Sequence, residues 1–212
     1  MIFAVLPVKD PRRAKQRLAG MFSPAEREAL ARAMYEHVLA ALCAARGFDR
    51  LAVATSDEAT AADAARRGLL VFREGEQVSH SRSADAAARR ASELGATTVV
   101  LLPIDVPLVT AAEIESLLAA PRPGLLIVPS SDGTGTNVLV RSPPDLIESR
   151  FGPGSFRAHL EQARAAGAAV VVARPPGLVF DLDTPDDLAQ LLARAPDSRC
   201  ASLLQDFARC RK

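Results

Sequence analysis

Met1-Ile2-Phe3-Ala4-Val5-Leu6-Pro7-Val8-Lys9 opens the chain, and the segments that follow it decide the fold. Ile2 to Val8 is a continuous apolar run of strand length, as expected for a strand buried on both faces. A basic loop from Lys9 to Arg17 comes next. Ser23-Pro24-Ala25-Glu26 then joins a capping box to a proline at the first helical position, so a long helix starts there. Leu30, Met34, Val38, Leu42 and Ala45 supply its apolar face, and Gly47 ends it. Strand, loop and helix in that order are the unit from which α/β sheets are built.

The unit recurs along the chain. Leu51 to Thr55 is a strand, Ala59 to Arg67 an alanine-rich helix stopped by Gly68, and Leu69 to Phe72 a short strand. Arg73 to Ser83 is polar and irregular, and a helix is predicted from Ala84 to Leu94. Val99 to Pro103 is a strongly apolar strand that runs out at Asp105. A second capping box, Thr110-Ala111-Ala112-Glu113, starts another helix. Leu125 to Val128 and Val138 to Val140 are strands around a turn at Ser130 to Asn137. Ser155 is predicted to cap a helix reaching Ala166, Ala169 to Val172 is a strand, and Thr184-Pro185-Asp186-Asp187 starts the last clear helix. The expected fold is α/β in one domain over residues 1–212, a mainly parallel sheet flanked by helices. Ligands in such sheets bind beyond the carboxyl ends of the strands.

Composition agrees and removes several function classes. Apolar residues make up 49% of the chain and aromatics only 4%, with no Trp, which suits helices on a sheet better than a β-sandwich. The net charge of +1 argues against a nucleic-acid footprint. Cys43, Cys200 and Cys210 form no C-x-x-C pair, so neither a disulfide framework nor a zinc site is expected, and the thiols suit a reducing cytoplasm. The apolar start has no basic n-region and reads as a strand, not a signal peptide. No apolar run approaches the roughly 20 residues needed to cross a bilayer.

Five polar segments fall where strands end. Lys9, Arg12, Arg13, Lys15 and Arg17 can meet a polyphosphate, lysine as a point charge and arginine as a fork. Asp105 lies between Pro103 and Pro107 at the exit of an apolar strand, where a carboxylate wants a partner or a cation. Asp181 and Asp183 are two positions apart in an extended segment and so point to the same side. A divalent cation would relieve their repulsion, and Mg²⁺ takes carboxylate and phosphate oxygens. Asp186 and Asp187 read as first-turn residues beside the helix dipole. Ser131-Asp132-Gly133-Thr134-Gly135-Thr136-Asn137 offers close backbone approach, and Phe151-Gly152-Pro153-Gly154-Ser155-Phe156 places amides and a hydroxyl at a helix start, an anion site. His37, His80, His159 and the cysteines lie in no catalytic spacing and are read as structural or surface groups.

Taken in order, Pro7-Val8-Lys9, Ala14-Lys15-Gln16-Arg17-Leu18, Pro103-Ile104-Asp105-Val106-Pro107-Leu108, Gly133-Thr134-Gly135-Thr136-Asn137, Phe151 to Phe156 and Asp181-Leu182-Asp183-Thr184-Pro185 resemble the 2-phospho-L-lactate guanylyltransferases of coenzyme F420 biosynthesis. That family includes the phosphoenolpyruvate and 3-phosphoglycerate guanylyltransferases, and the resemblance spans nearly the whole chain. It implies a nucleotidyltransferase fold of the glycosyltransferase-A, Rossmann-like kind, with GTP, Mg²⁺ and a small phosphorylated acid. It implies that Asp105, Asp181 and Asp183 hold metal, and that Lys9, Lys15 and Arg17 face the triphosphate. It also implies that the amides of Thr136 and Gly152 and the Ser155 side chain hold the acid. Gln77 to Ser83 departs from the family pattern, a Gly-Leu-Asn followed by Ala near the nucleotide; His80, Ser81 and Arg82 are the residues available in its place. Two other readings remain at this point: a nucleotidyltransferase for a sugar phosphate or molybdopterin, and a catalytically silent nucleotide-binding protein.

Overall fold

The computed structural model describes residues 1–75, 79–119 and 123–209. Gln77 and Val78 of the departing segment, and Cys210, lie outside the described residues. Seven strands form one sheet: β1 (Ile2–Val8), β2 (Arg50–Thr55), β3 (Leu70–Arg73), β4 (Thr98–Leu101), β5 (Gly124–Pro129), β6 (Thr136–Ser142) and β7 (Val170–Val172). The helices are α1 (Pro24–Ala44), α2 (Glu58–Arg66), α3 (His80–Glu93), α4 (Ala111–Leu118), α5 (Ser155–Ala165), α6 (Pro176–Val179), α7 (Pro185–Arg194) and α8 (Arg199–Arg209).

The strand order is β3-β2-β1-β4-β6-β5-β7. Each pair is parallel except the two made by β6, which runs against both β4 and β5. The expected mainly parallel sheet is therefore present, with one reversed strand. The turn between β5 and β6 is too short for a crossover and forces a hairpin. The chain moves outward from β1 through β2 to β3, then returns to place β4 on the other side of β1. That makes the carboxyl ends of β1 and β4 a topological switch point, where a crevice opens. Because β6 is reversed, its first residue, Thr136, lies at this same end of the sheet.

Alternation along the strands builds the two halves of the core. Ala4, Leu6, Val8, Val53, Val100 and Val138 pack with Val38, Leu39 and Leu42 of α1 and with Ile114 and Leu117 of α4. Phe3, Val5, Ala54, Val99, Leu101 and Leu139 face Ala84, Ala87, Ala88 and Ala91 of α3, whose small side chains let the helix lie close to the sheet. A third apolar cluster joins Leu18, Phe22, Leu30 and Met34 to Phe180, Leu182, Leu191 and Leu204. It clamps the basic loop after β1 against the segment carrying Asp181 and Asp183.

Both expected capping boxes are formed, Ser23 with Glu26 and Thr110 with Glu113. Two helix starts differ from expectation. α3 begins at His80, four residues earlier than the sequence suggests, because the Ser79 hydroxyl accepts from the Arg82 amide at 3.2 Å. Ser155 does not cap α5. Gly154 takes that place in the left-handed region (φ 73°), and Ser155 becomes the first helical residue, 1% exposed. The segment after Pro196 forms α8, which packs through Cys200, Ala201 and Leu204. No helix among the described residues is long and apolar enough to cross a membrane.

Candidate active site

A cleft of about 620 Å³ opens at the switch point, and all nine site residues proposed from the sequence line it: Lys9, Lys15, Arg17, Asp105, Thr136, Gly152, Ser155, Asp181 and Asp183. Residues more than 170 positions apart are thus brought to one opening by the sheet topology alone.

Lys15 organises the floor. Its Nζ donates to Asp105 Oδ1 at 2.5 Å, to the Leu182 carbonyl at 2.5 Å and to Asp183 Oδ1 at 3.0 Å. To reach them, Lys15 adopts φ 51° and ψ 42°; it is the one non-glycine residue with positive φ among the described residues. A left-handed lysine costs about 1 kcal/mol or more and persists only where its contacts over-determine it. Burial pushes the ammonium toward neutrality, but Asp105 and Asp183 outweigh that and raise its pKa above the ordinary value. Asp105 responds in the opposite sense. Burial raises its pKa, and the Lys15 charge more than reverses this, so the carboxylate stays ionised.

Lys15 approaches from beneath, with its side chain 3% exposed, while Asp105 and Asp183 keep 41% and 40% of theirs open. Their outer oxygens therefore face the cleft. Arg17 reaches Asp183 at 3.7 Å from the rim, and Lys9 also lines the cleft. Asp181 is turned slightly aside: its Oδ1 accepts from the Ser131 amide at 3.2 Å and hydroxyl at 3.1 Å. Among the described residues no three His, Cys, Asp or Glu side chains form a group close enough to hold one ion. The three aspartates line one cleft, but the ammonium of Lys15 stands between two of them. In donor chemistry they suit a hard divalent cation, being carboxylate oxygens on the wall of an open cleft.

Thr184 caps α7, with Asp187 accepting from its amide at 2.7 Å and its hydroxyl at 2.8 Å. The capping role is thereby filled, and Asp183 is left to the cleft.

The opposite wall is built from hydroxyls, amides and buried histidines. Asp132 accepts from Ser130, from the Thr134 amide and from the Thr134 hydroxyl, which folds the 130–135 turn and lowers its pKa to about 2. Gly135 is required there, since a Cβ would lie 2.7 Å from Ser130 Oγ. Asn137 donates to the Leu178 and Val179 carbonyls at 2.9 and 3.0 Å, tying β6 to the segment that leads into Asp181. Thr136 Oγ1 lies 3.2 Å from Ser155 Oγ and 3.0 Å from His159 Nδ1. Phe151 packs edge-on against His80 (centroids 4.6 Å apart) and His159 (5.5 Å), and its amide donates to Ser81 Oγ at 2.9 Å. The departing segment thus meets the glycine loop through His80 and Ser81.

His159, read from the sequence as a structural or surface group, is fully buried behind Thr136. A lone histidine on a helix carries no signal that its partners lie on a strand and a loop. His37, read as structural, is so: its Nε2 meets the Val109 carbonyl at 2.9 Å.

Burial lowers the pKa of His159 from 6.5 to about 4, helped by Arg141 and Arg150 and opposed by Asp85. Burial and Lys9 lower His80 to about 4, opposed by Asp105. Both rings are neutral in the folded protein, whereas the unfolded chain takes up protons as pH falls below 6.5. Stability is therefore full above about pH 6.5 and is lost as pH falls towards about 4, roughly 3 kcal/mol for His159. Urea unfolding at about pH 7 and about pH 4.5 measures this; equal midpoints would contradict it.

Comparison with known proteins follows the same lines. A phosphoenolpyruvate guanylyltransferase from Sphaerobacter thermophilus is 40% identical over 91% of this chain and 93% of its own length. A 2-phospho-L-lactate guanylyltransferase from Methanothermobacter thermautotrophicus is 33% identical, over 95% of this chain and 89% of the relative. A 3-phospho-D-glycerate guanylyltransferase from Colwellia psychrerythraea is also 33% identical, over 89% and 90%. Among solved structures, a protein of Desulfovibrio desulfuricans G20 assigned to the nucleotide-diphospho-sugar transferases superposes with a TM-score of 0.76 at 18% identity, over 98% of this chain and 95% of that one, a likeness of fold. The family model described as guanylyl transferase CofC like matches residues 2–208, and the chain belongs to that family of nucleotidyltransferases.

Proposed function

We propose that this protein transfers GMP from GTP to a small phosphorylated acid and releases pyrophosphate, as a step in making coenzyme F420. The acid is phosphoenolpyruvate, 2-phospho-L-lactate or 3-phospho-D-glycerate, the three named for its relatives. One observation carries the reading: a single cleft at the switch point is lined on one side by a basic loop and aspartates and on the other by hydroxyls and a glycine loop. The first side suits a nucleoside triphosphate and the second a small anion. Its free thiols, Cys43 and Cys200, suit a cytoplasmic enzyme.

In the transfer, a phosphate oxygen of the acid forms a bond to the α-phosphorus of GTP as the α–β bridging P–O bond breaks. The bridging electrons leave with pyrophosphate. The attacking oxygen is already anionic at neutral pH, so the site needs no general base. The barrier is repulsion between two anions brought together. Lys9 and Arg17 supply positive charge at the rim, and Lys15 fixes the orientation of Asp105 and Asp183 from below. Asp105, Asp181 and Asp183 would hold Mg²⁺, which when bound neutralises phosphate charge and polarises the reacting phosphorus.

On the acid side, the Gly152 and Gly154 turns present backbone at the start of α5, where the helix dipole favours an anion. Ser155→Ala removes one hydroxyl from this wall. A hydrogen bond to a charged partner is worth about 1.5–3 kcal/mol, so the phospho-acid KM should rise about ten- to hundred-fold, with the GTP KM little changed. Gly154 is the helix cap, so no loss of a cap accompanies the substitution. Steady-state kinetics with each substrate varied in turn decide it, and an unchanged phospho-acid KM would remove Ser155 from the binding role.

The function is tested by pyrophosphate release over a grid of four nucleoside triphosphates and the three phospho-acids, with glucose 1-phosphate as a sugar-phosphate control. The expected result is release with GTP and at least one phospho-acid only. Release with the sugar phosphate alone would overturn the reading.

A further inference from the structure

We propose that His159 is a positioning residue for the acid-binding wall: held in one tautomer by the Arg150 amide, it fixes the Thr136–Ser155 hydroxyl pair so that one hydroxyl hydrogen stays available to an anion. This rests on the reading that Thr136 and Ser155 bind the phospho-acid.

The argument is one of donors and acceptors. The Arg150 N–H can only donate, and it lies 2.8 Å from His159 Nε2. That nitrogen must therefore be the bare one, and in a neutral ring the hydrogen sits on Nδ1. Nδ1–H then donates to Thr136 Oγ1 at 3.0 Å. Thr136 Oγ1 and Ser155 Oγ, 3.2 Å apart, have two hydrogens between them, and their mutual bond uses one. The other is left over, on whichever hydroxyl accepts, and both residues line the cleft. With the opposite tautomer, a bare Nδ1 would take the Thr136 hydrogen, and Ser155 would spend its own on Thr136. The hydroxyl pair would then offer an anion only oxygen lone pairs. The ring thus decides whether the Thr136–Ser155 pair has a hydrogen to donate to the substrate.

The Arg150 bond is one of three in a row. The Ser149 amide donates to both Asp85 oxygens at 3.1 Å, and the Phe151 amide to Ser81 Oγ at 2.9 Å. Asp85 is itself held by the buried Arg141 at 2.8 Å. Three successive amides are therefore fixed by side chains of α3 and α5 immediately before Gly152. Only His159 among these side chains also touches a residue of the binding wall, which makes it the link between the braced loop and the hydroxyl pair.

The tautomer is read first, on the unmodified protein, by long-range ¹H–¹⁵N correlation near neutral pH. The expected result is His159 protonated on Nδ1 alone, and protonation on Nε2 overturns the proposal. Kinetics follow with His159→Asn, whose amide nitrogen can stand where Nδ1 stood, and His159→Leu, which has no donor. His159→Leu should raise the phospho-acid KM about tenfold and leave the GTP KM within about twofold, while His159→Asn restores most of the loss. In Thr136→Val, adding His159→Leu should change the phospho-acid KM by less than about twofold, since their shared contact is already gone. If Thr136→Val and Ser155→Ala raise the phospho-acid KM and a folded His159→Leu does not, the positioning role is overturned and the acid-binding wall stands. If neither hydroxyl variant changes that KM, the acid-binding reading fails, and the inference with it.

Discussion

Asp183→Asn is expected to yield a folded protein whose turnover falls by a factor on the order of 10²–10³, the scale of removing one charge-stabilising group from a polar active site. The substitution keeps shape and volume, Asp105 still pairs with Lys15, and the helix start after position 183 is held without the Asp183 carboxylate. Thr184 and Asp187 cap α7 without it, and the Asp183 amide donates to Asp187 at 2.9 Å whatever the side chain. What changes is the charge presented to the cleft. Asp183 gives one oxygen to Lys15 and one towards Arg17, with two-fifths of its side chain open to substrate and cation. Asn offers one neutral oxygen and an NH₂ that would face the Lys15 ammonium or the incoming phosphates. Turnover should recover partly at raised Mg²⁺ if the loss is one of cation affinity. Circular dichroism and a melting curve check the fold, and full activity at ordinary Mg²⁺ would remove Asp183 from the proposed metal set.

Lys15→Met is expected to cost both stability and catalysis, and the stability loss is the more diagnostic. Removing one partner of a buried ion pair costs about 3–5 kcal/mol, because the other is left uncompensated. Here the low end applies, about 3 kcal/mol, since Asp105 and Asp183 keep contact with water. At about 2–4 °C per kcal/mol for a chain of this size, the melting temperature should fall by roughly 6–12 °C. Met fills the same apolar stem space, so the loss comes from charge and not from a cavity. With the ammonium gone, Asp105 and Asp183 repel one another, and a divalent cation gains in value. Mg²⁺ should therefore raise the melting temperature of Lys15→Met by several degrees more than that of the unmodified protein. The same melting temperature for both proteins, with and without Mg²⁺, would contradict the arrangement around Lys15. The sequence resemblance implies that Lys15 faces the triphosphate; its direct partners here are Asp105, Asp183 and the Leu182 carbonyl.

The fold was legible where local chemistry decides it. Ser23 and Thr110, each with a Glu three positions on, announce helix starts, and the short apolar runs at β1 and β4 read as buried strands, as they are. The reversal of β6 was not read in advance, although the turn between 129 and 136 is too short for a crossover and requires it. The start of α3 was less visible, because Ser79 lacks the Glu or Gln that completes a capping box, and one hydroxyl bond begins the helix instead. At Ser155 the sequence signal misled for a physical reason. Gly154 can enter the left-handed region without cost and takes the cap, which frees the serine hydroxyl to turn inward to Thr136.

The site divides in the same way. Aspartates at strand exits and glycines before a helix can be recognised from their neighbours in the chain, and all nine residues meet in the cleft. The contacts among them cannot be so recognised. That Lys15 lies under Asp105 and Asp183, 90 and 168 positions away, follows from the third apolar cluster pressing its loop onto Leu182. The role of His159 depends on Thr136 and Arg150, which only the hairpin and α5 bring to its two nitrogens.

The central claim is that one cleft joins GTP to a phosphorylated acid. ³¹P NMR of the purified protein with GTP, Mg²⁺ and phosphoenolpyruvate tests it most directly. The expected spectrum gains pyrophosphate and the two coupled resonances of a new diphosphate linkage between GMP and the acid. The phosphoenolpyruvate and GTP signals should fall together, one for one. With 2-phospho-L-lactate or 3-phospho-D-glycerate the same pattern would identify a different acid for the same chemistry. A spectrum unchanged for all three acids, from protein shown to be folded, would contradict the account.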